Sequence, residues 1–211
     1  MISKFLNLDT EKQQRIINAA LDEFAQKGYK NASTNEIVKN ANISKGLLFH
    51  YFKNKKNLFI YLVEYSTNIF LEGFYSKFSF DETDIIKRWR QIALLKIELI
   101  KNYRELYNFM LSSATDDSID IDIKKELASS SNNIVQDFYK KLFEDIDTSG
   151  FKEGMDIKRV SEIIIWVVQG FSNNELEKLK HNFTNKLNFN VDEIMADFDE
   201  YIELLKNAFY K

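Results

Sequence analysis

The side chains best suited to bind a ligand lie in one short stretch, residues 44–56. Ser44, Lys45 and Gly46 follow one another there, and three more lysines and a histidine come within the next ten residues. A serine at this position can cap a helix by accepting from its first free amides. Those amides and a nearby lysine attract phosphate, and a glycine lets the phosphate come close. The stretch therefore predicts a surface that binds a polyanion.

The charge distribution points to the same part of the chain. Residues 1–60 contain ten Lys and Arg against five Asp and Glu, whereas the rest contains 19 against 27. A small basic segment on an acidic body indicates that the segment, and not the body, meets the polyanion.

Other chemistries find little support. The chain has no cysteine and only two histidines, so we expect no disulfide, no zinc-cysteine site, no metal and no cofactor. Residues 116–122 alternate oxygen-bearing side chains as a calcium loop does, but Ile121 stands where the turn needs Gly and Leu127 where the bidentate Glu belongs. We find no nucleophile–base pair, phosphate loop or HExxH motif, and we therefore expect no enzyme.

The elements that position the polyanion surface are helices. The chain has no proline, and apolar residues recur at helical spacing throughout. Its longest apolar run, residues 163–168, is far short of the about 20 residues that cross a bilayer, and the first residues do not resemble a signal peptide. We expect no membrane segment and a cytoplasmic protein.

Two short helices joined by a tight turn carry the basic stretch. A capping box at Thr10 predicts a helix that ends at Gly28, and Ser33 with Glu36 predicts the start of the next one. Residues 45–52 form the second short helix, and a longer helix covers residues 54–78. A helix as short as 45–52 cannot stabilise itself in water, so its neighbours must hold it while it presents a surface.

This segment resembles the DNA-binding domain of the TetR family over about residues 9–69, without a gap. The matching elements are Gly28-Tyr29, Thr34-Asn-Glu-Ile37-Val38, Ser44-Lys-Gly-Leu-Leu-Phe-His-Tyr-Phe52 and Lys53-Asn-Lys-Lys-Asn-Leu58. The resemblance implies a helix-turn-helix whose second helix enters the major groove of double-stranded DNA by its N-terminal residues.

The resemblance also implies which residues contact DNA. They are Thr34, Ser44, Lys45, Gly46, Leu47, Phe49, His50, Tyr51 and Lys55. Thr34, His50, Tyr51 and Lys55 would contact the backbone, and Lys45 would reach a base edge or a nearby phosphate. Phe49 departs from the family pattern, which usually has Tyr there, so a hydroxyl contact to phosphate is lost or replaced.

The rest of the chain predicts five more helices, at about residues 82–102, 104–114, 121–145, 156–180 and 190–210. The last has a heptad seam of apolar residues. Since TetR-like regulators dimerise through their last two helices, the resemblance implies a homodimer interface at Ile164, Val168, Val191, Met195, Phe198, Ile202 and Leu205. The alternative is that this seam packs only within one chain.

Aromatic residues crowd the middle helices. In TetR relatives this region holds an effector pocket, and the resemblance implies lining residues Trp89, Tyr103, Tyr107, Phe138, Trp166 and Gln169. The alternative for each aromatic residue is a place in the ordinary core.

We therefore expect an all-α protein, with a three-helix helix-turn-helix DNA-binding head at residues 1–55 and a larger helical ligand-binding and dimerisation body at residues 56–211. The implied function is a dimeric regulator, a repressor that leaves a near-palindromic operator when a small, largely apolar effector binds. The alternatives are a TetR-like protein that acts mainly through a protein partner, and an activator with a co-effector.

Overall fold

A computed structural model of the chain describes residues 2–182 and 190–211, with side chains except at 128–136, 139, 176 and 179–182. The described residues form an all-α fold of ten helices, with no strand and one isolated β-bridge. The helices are α1 (Ile2–Leu6), α2 (Thr10–Asn31), α3 (Thr34–Asn40), α4 (Lys45–Phe52), α5 (Lys55–Lys77), α6 (Ile85–Asn102), α7 (Arg104–Thr115), α8 (Ile121–Leu142), α9 (Ile157–Asn182) and α10 (Val191–Phe209).

Polar side chains start the helices around the basic stretch. The Ser33 and Ser44 hydroxyls accept from the amides of Glu36 and Leu47, as predicted. At α2 the cap is Asp9, whose carboxylate accepts from the Lys12 amide at 2.8 Å, so the predicted cap at Thr10 is wrong by one residue. Gly28 breaks the regular geometry of α2 with φ 70°, close to the predicted end of this helix.

The described chain divides into two compact units. The N-terminal unit comprises Met1–Gly73 and Leu99–Gln136, and the C-terminal unit comprises Phe74–Glu98 and Asp137–Lys211. Helices α5, α6 and α8 supply residues to both units. These limits do not follow the predicted division at residue 55.

The core of the N-terminal unit shows why the division differs. Phe24 on α2, Phe59 on α5 and Phe109 on α7 are buried and pack against one another, with ring centroids 5.1–6.2 Å apart. The basic stretch therefore shares one hydrophobic core with α5 and α7, and residues 1–55 do not form a separate core.

The C-terminal unit has its own core, formed by α6, α9 and α10 with the segment around Phe151. The buried guanidinium of Arg88 on α6 donates to the backbone carbonyls of Phe80, Leu142 and Glu144. These bonds satisfy the buried charge and fix the turn after α8 against α6. Within the described part of the chain, no helix has both the length and the hydrophobicity to cross a membrane.

Candidate nucleic-acid interface

Helix α4 is held by its inner face. Leu48, Tyr51 and Phe52 are buried in the core of the N-terminal unit, which supports a helix of only eight residues. The turn before it is closed by the Ile43 amide, which donates to the Val38 carbonyl at 3.0 Å, and by Asn42 in a left-handed conformation with φ 53°. The two short helices are therefore fixed to each other and to the core.

The N-terminal end of α4 faces solvent. Ser44, Lys45 and Gly46 are exposed, and a Cβ added at Gly46 would meet no atom within 4 Å. The Lys45 ammonium lies 5.8 Å from the centre of the Phe49 ring, within range of a cation–π contact. Three of the predicted contact residues thus form an open surface with a positive charge and room for a close approach.

The remaining predicted contact residues of α4 differ in how far their side chains are exposed to solvent. Leu47 and His50 rise from the same short helix, where Leu47 is accessible at the N-terminal end and His50 is exposed near the C-terminal end. Tyr51 is only 6% exposed, and its ring packs edge to face on Phe5 at 5.8 Å. Most of Tyr51 therefore belongs to the core, which leaves little of this side chain for a phosphate.

The Lys55 ammonium is engaged in contacts with other residues of the same chain. It donates to the backbone carbonyls of Lys30 and Ala32 at 3.1 and 3.2 Å and lies 5.0 Å from the centre of the Tyr29 ring. The positive charge thus compensates carbonyls at the end of α2, where cations are favourable. Thr34 is the half-buried first residue of α3, next to the cap Ser33.

Helix α1 adds a charged residue that we did not predict. Phe5 is fully buried against Tyr51, Phe52 and Tyr61, and it fixes α1 beside α4. The Lys4 ammonium consequently lies 3.4 Å from Nε2 of the exposed His50. The signal in the sequence was a lysine beside a phenylalanine, but both precede the region of resemblance.

Asp116 ties the end of α7 to the bend in α2. Its carboxylate accepts from the Tyr29 amide at 2.7 Å and from the Ser118 amide at 2.8 Å. Burial opposes ionisation of this carboxyl group, but the hydrogen bonds from Ser118 and Tyr29 outweigh burial and lower its pKa. A Cβ at Gly28 would lie 2.9 Å from Asp116 Oδ2, so this close contact requires glycine.

The six predicted pocket residues do not share one unit. In the C-terminal unit Trp89 is buried, and its indole nitrogen has no hydrogen-bond partner among the described residues, while Phe138 packs on Phe74 and Phe78. Trp166 is 64% exposed and Gln169 is also exposed. Exposure to this extent does not support the interpretation that Trp166 and Gln169 line an enclosed pocket.

The other two pocket residues lie on the N-terminal unit. Tyr107 packs against Phe70 with the ring centres 6.3 Å apart, and its hydroxyl is buried without a partner among the described residues. Burial raises the pKa of Tyr107 to about 12. Tyr103 also packs against Phe70 but is 40% exposed.

A groove of about 580 Å³ lies on the C-terminal unit, between the turn after α8 and the first half of α9. It is lined by Phe143, Asp145, Ile146, Thr148, Ile157, Lys158, Ser161, Glu162 and Ile165. None of the predicted pocket residues lines this groove.

The predicted dimer residues lie inside the C-terminal unit. Ile164 and Val168 on α9 are buried in its core. The seam of α10 is covered as well, at Met195, Phe198, Ile202 and Leu205, with Val191 half-buried. The structure thus shows the alternative that the heptad seam packs within one chain. Among the described side chains, the large apolar residues of these helices that are exposed are others: Ile163, Trp166, Tyr201 and Leu204.

Comparisons with known proteins agree with this geometry. Residues 16–62 match the family model described as "Bacterial regulatory proteins, tetR family". The uncharacterised HTH-type transcriptional regulator YuxN of Bacillus subtilis is 46% identical over 55 residues, which are 26% of this chain and 19% of that protein. The fatty acid metabolism regulator protein of B. subtilis is 26% identical over an alignment of 202 positions, which covers 83% of this chain and 97% of the relative.

Solved structures extend the likeness to the whole fold. The crystal structure of the transcriptional regulator FadR from B. subtilis, in complex with stearoyl-CoA, has a TM-score of 0.59 at 18% identity. The match covers 91% of this chain and 96% of that one. The helix-turn-helix of α3 and α4 lies within the part of the chain that matches the family model. Residues 16–62 therefore match the DNA-binding domain of TetR-family transcriptional regulators, and the whole chain is similar in fold to regulators of that family.

Proposed function

We propose that the chain is a dimeric repressor that binds a near-palindromic, double-stranded DNA operator and leaves it when an effector binds. The observation that carries the proposal is the open N-terminal end of α4, where Lys45 and Gly46 are exposed and a Cβ added at Gly46 would meet no atom within 4 Å. In a helix-turn-helix this end of the second helix reaches the base edges. A transcriptional regulator acts where the DNA is, so we place it in the cytoplasm.

The proposed DNA contacts are of two kinds, those that read the base sequence and those that hold the sugar-phosphate backbone. Lys45 is the residue proposed to reach a base edge, because it supplies a charged side chain at the exposed start of α4. Thr34 and His50 are proposed backbone contacts, together with Lys4, and such contacts position the protein without reading sequence. Lys55 contributes by fixing the end of α2, through the hydrogen bonds described above.

A second copy of this chain is proposed to cover the outer face of α9 and α10. Trp166 and Leu204 are 64% and 67% exposed, and Ile163 and Tyr201 are exposed too. A Cβ added at the exposed Gly170 of α9 would meet no atom within 4 Å, so a partner helix could approach closely there. Large apolar side chains that are exposed three residues apart on each of these helices support a surface that is covered in the assembly.

The effector is proposed to be a small, largely apolar molecule. A relative that aligns with most of the chain is named for fatty acid metabolism, and a structural relative binds stearoyl-CoA. Long-chain acyl compounds are therefore the first candidates. The effector needs only a higher affinity for the form of the dimer that binds DNA poorly, since equal affinity for both forms shifts nothing.

The test measures DNA binding and release in one experiment. Fluorescence anisotropy on a site enriched from random DNA should give two chains per site, and stearoyl-CoA should lower operator affinity by roughly 5–150-fold, the usual range of allosteric coupling. Octanoyl-CoA provides a control with the same headgroup. One chain per site would contradict the dimer. Unchanged operator affinity with stearoyl-CoA bound to the protein would contradict the proposed effector.

A further inference from the structure

One lysine of the C-terminal unit carries a charge that no described carboxylate neutralises. Lys96 lies in the middle of α6 and is half-buried, and its ammonium donates to the Ser172 hydroxyl on α9 at 2.5 Å. No carboxylate lies within 4 Å of it among the described residues, and the side chains outside that description include no Asp or Glu. Burial lowers the pKa of Lys96, and no nearby charge counteracts this effect.

The neighbouring basic residues of α6 are paired, which sets Lys96 apart. Lys87 pairs with Glu82, Arg90 with Asp199, and Arg88 donates to backbone carbonyls. A half-buried ammonium with a single hydroxyl partner is costly unless an anion approaches it. The Ser172 hydroxyl accepts from Lys96, so its own hydrogen can be directed towards the same anion.

A second unsatisfied donor lies on the same face of α6. Trp89 is 5% exposed, and its indole nitrogen has no acceptor among the described residues. It precedes Lys96 by seven residues, which puts the two side chains on one side of the helix about 10 Å apart along its axis. Ile92 and Ala93 lie between them and belong to the apolar surroundings of the core.

We propose that Lys96 and Ser172 bind an oxyanion at one end of an apolar effector, and that the indole of Trp89 donates to an acceptor further along it. The proposal rests on the proposed function, because it specifies the effector of that regulator. The ligand class is an anionic amphiphile, whose oxyanion is either a carboxylate or a phosphate. The apolar residues beside Trp89 and Lys96 would contact its chain.

The test separates charge from hydrophobicity. Stearate, stearoyl-CoA and stearyl alcohol are titrated into the full chain by calorimetry, each below its micelle concentration. The variants are Lys96→Met, which keeps the length but removes the charge, Lys96→Arg, and the control Lys87→Met on the exposed side of the same helix. Lys96→Met should weaken binding of at least one anion about ten- to a hundred-fold, the range for hydrogen bonds to charged groups.

The other variants and ligands serve as controls and identify the anion. Lys96→Arg should recover part of the affinity, Lys87→Met should change nothing, and stearyl alcohol should bind the parent and Lys96→Met equally. Loss for stearate alone identifies a carboxylate, and loss for stearoyl-CoA alone identifies a phosphate. The melting temperature of Lys96→Met without ligand should stay level or rise, because a desolvated charge has been removed.

Several outcomes would overturn the site: no binding of either anion to the parent, equal loss for the anions and the alcohol, or no loss in Lys96→Met. A separate outcome concerns the regulator. If an anion binds through Lys96 but operator affinity does not change, the anion site stands and the proposed response to this effector fails.

Discussion

Lys55 illustrates how far a residue type and its spacing determine a role. The motif predicts a lysine at the start of α5, and the structure has it there. Its position alone could not reveal that the ammonium turns towards the carbonyls of Lys30 and Ala32, because that depends on where α2 ends in space. The exposure of Lys45 and Gly46 and the capping role of Ser44 were easier to predict, since the start of a helix that faces solvent needs no partner elsewhere in the chain.

Replacement of Lys55 by methionine should destabilise the protein. Two hydrogen bonds from a charged donor are lost, and the C-terminal carbonyls of α2 lose their compensation, so we expect the free energy of unfolding to fall by about 1–2 kcal/mol. Urea denaturation measures this. The control Lys53→Met changes an exposed lysine and should stay within about 0.5 kcal/mol of the parent. Equal stability of the two variants would contradict this stabilising role of Lys55.

Lys4 should strengthen DNA binding without affecting sequence preference. Its ammonium lies beside the exposed His50 of α4. The Lys4→Ala variant should bind specific and non-specific DNA more weakly, and the slope of log affinity against log salt should fall by about 0.9 for one lost phosphate contact. Lys87→Ala in the C-terminal unit serves as the control. A slope equal to that of the parent would exclude this contact.

At the scale of the elements, the helices followed from periodicity and capping residues, and most predicted bounds agree with the structure within a few residues. Helix α1 was not predicted, because five residues are too few to show a period. Its stability comes from Phe5, whose burial depends on aromatic rings of α4 and α5. Local patterns specify long helices well but do not reveal a short helix that is held by contacts distant in sequence.

Gly28 should be intolerant of any side chain. Its φ of 70° and ψ of 170° suit glycine alone, and a Cβ would lie 2.9 Å from the Asp116 carboxylate. Gly28→Ala should therefore lower the free energy of unfolding by about 1–3 kcal/mol. Gly46→Ala is the matched control: it lies in a helix with open space around it, and alanine there should leave stability unchanged or raise it. Thermal unfolding of both variants measures these changes. A Gly28→Ala protein as stable as the parent would contradict the strained geometry.

At the scale of the whole molecule, the likeness to TetR-family regulators and the all-α class were predictable, whereas the partner of the heptad seam was not. A row of apolar residues shows that a helix face is covered, but not whether its own chain or a partner covers it. In α10 its own chain does so, with Phe198 fully buried and packed on Phe171. The exposed residues of α9 and α10 are the ones that we propose a second copy covers.

Trp166→Asp should separate assembly from folding. The side chain is 64% exposed in the single chain, so the charge should leave the fold intact but oppose burial in a dimer interface. We expect a folded monomer by analytical ultracentrifugation. Phe198→Asp, in the core, should instead lose several kcal/mol of stability, as expected for a buried charge without a partner. A Trp166→Asp variant that stays dimeric at micromolar concentration would place the interface on another surface.

The central claim is that the exposed start of α4 reads a symmetric operator, and selection of bound DNA from a random pool tests it most directly. The parent protein should enrich one sequence as an inverted repeat, with half-site centres separated by one helical turn or a multiple of it. Lys45→Ala, with an unchanged melting temperature, should enrich a sequence that differs at defined positions of each half-site. An unenriched pool for the parent, or the same enriched sequence for both proteins, would contradict the account.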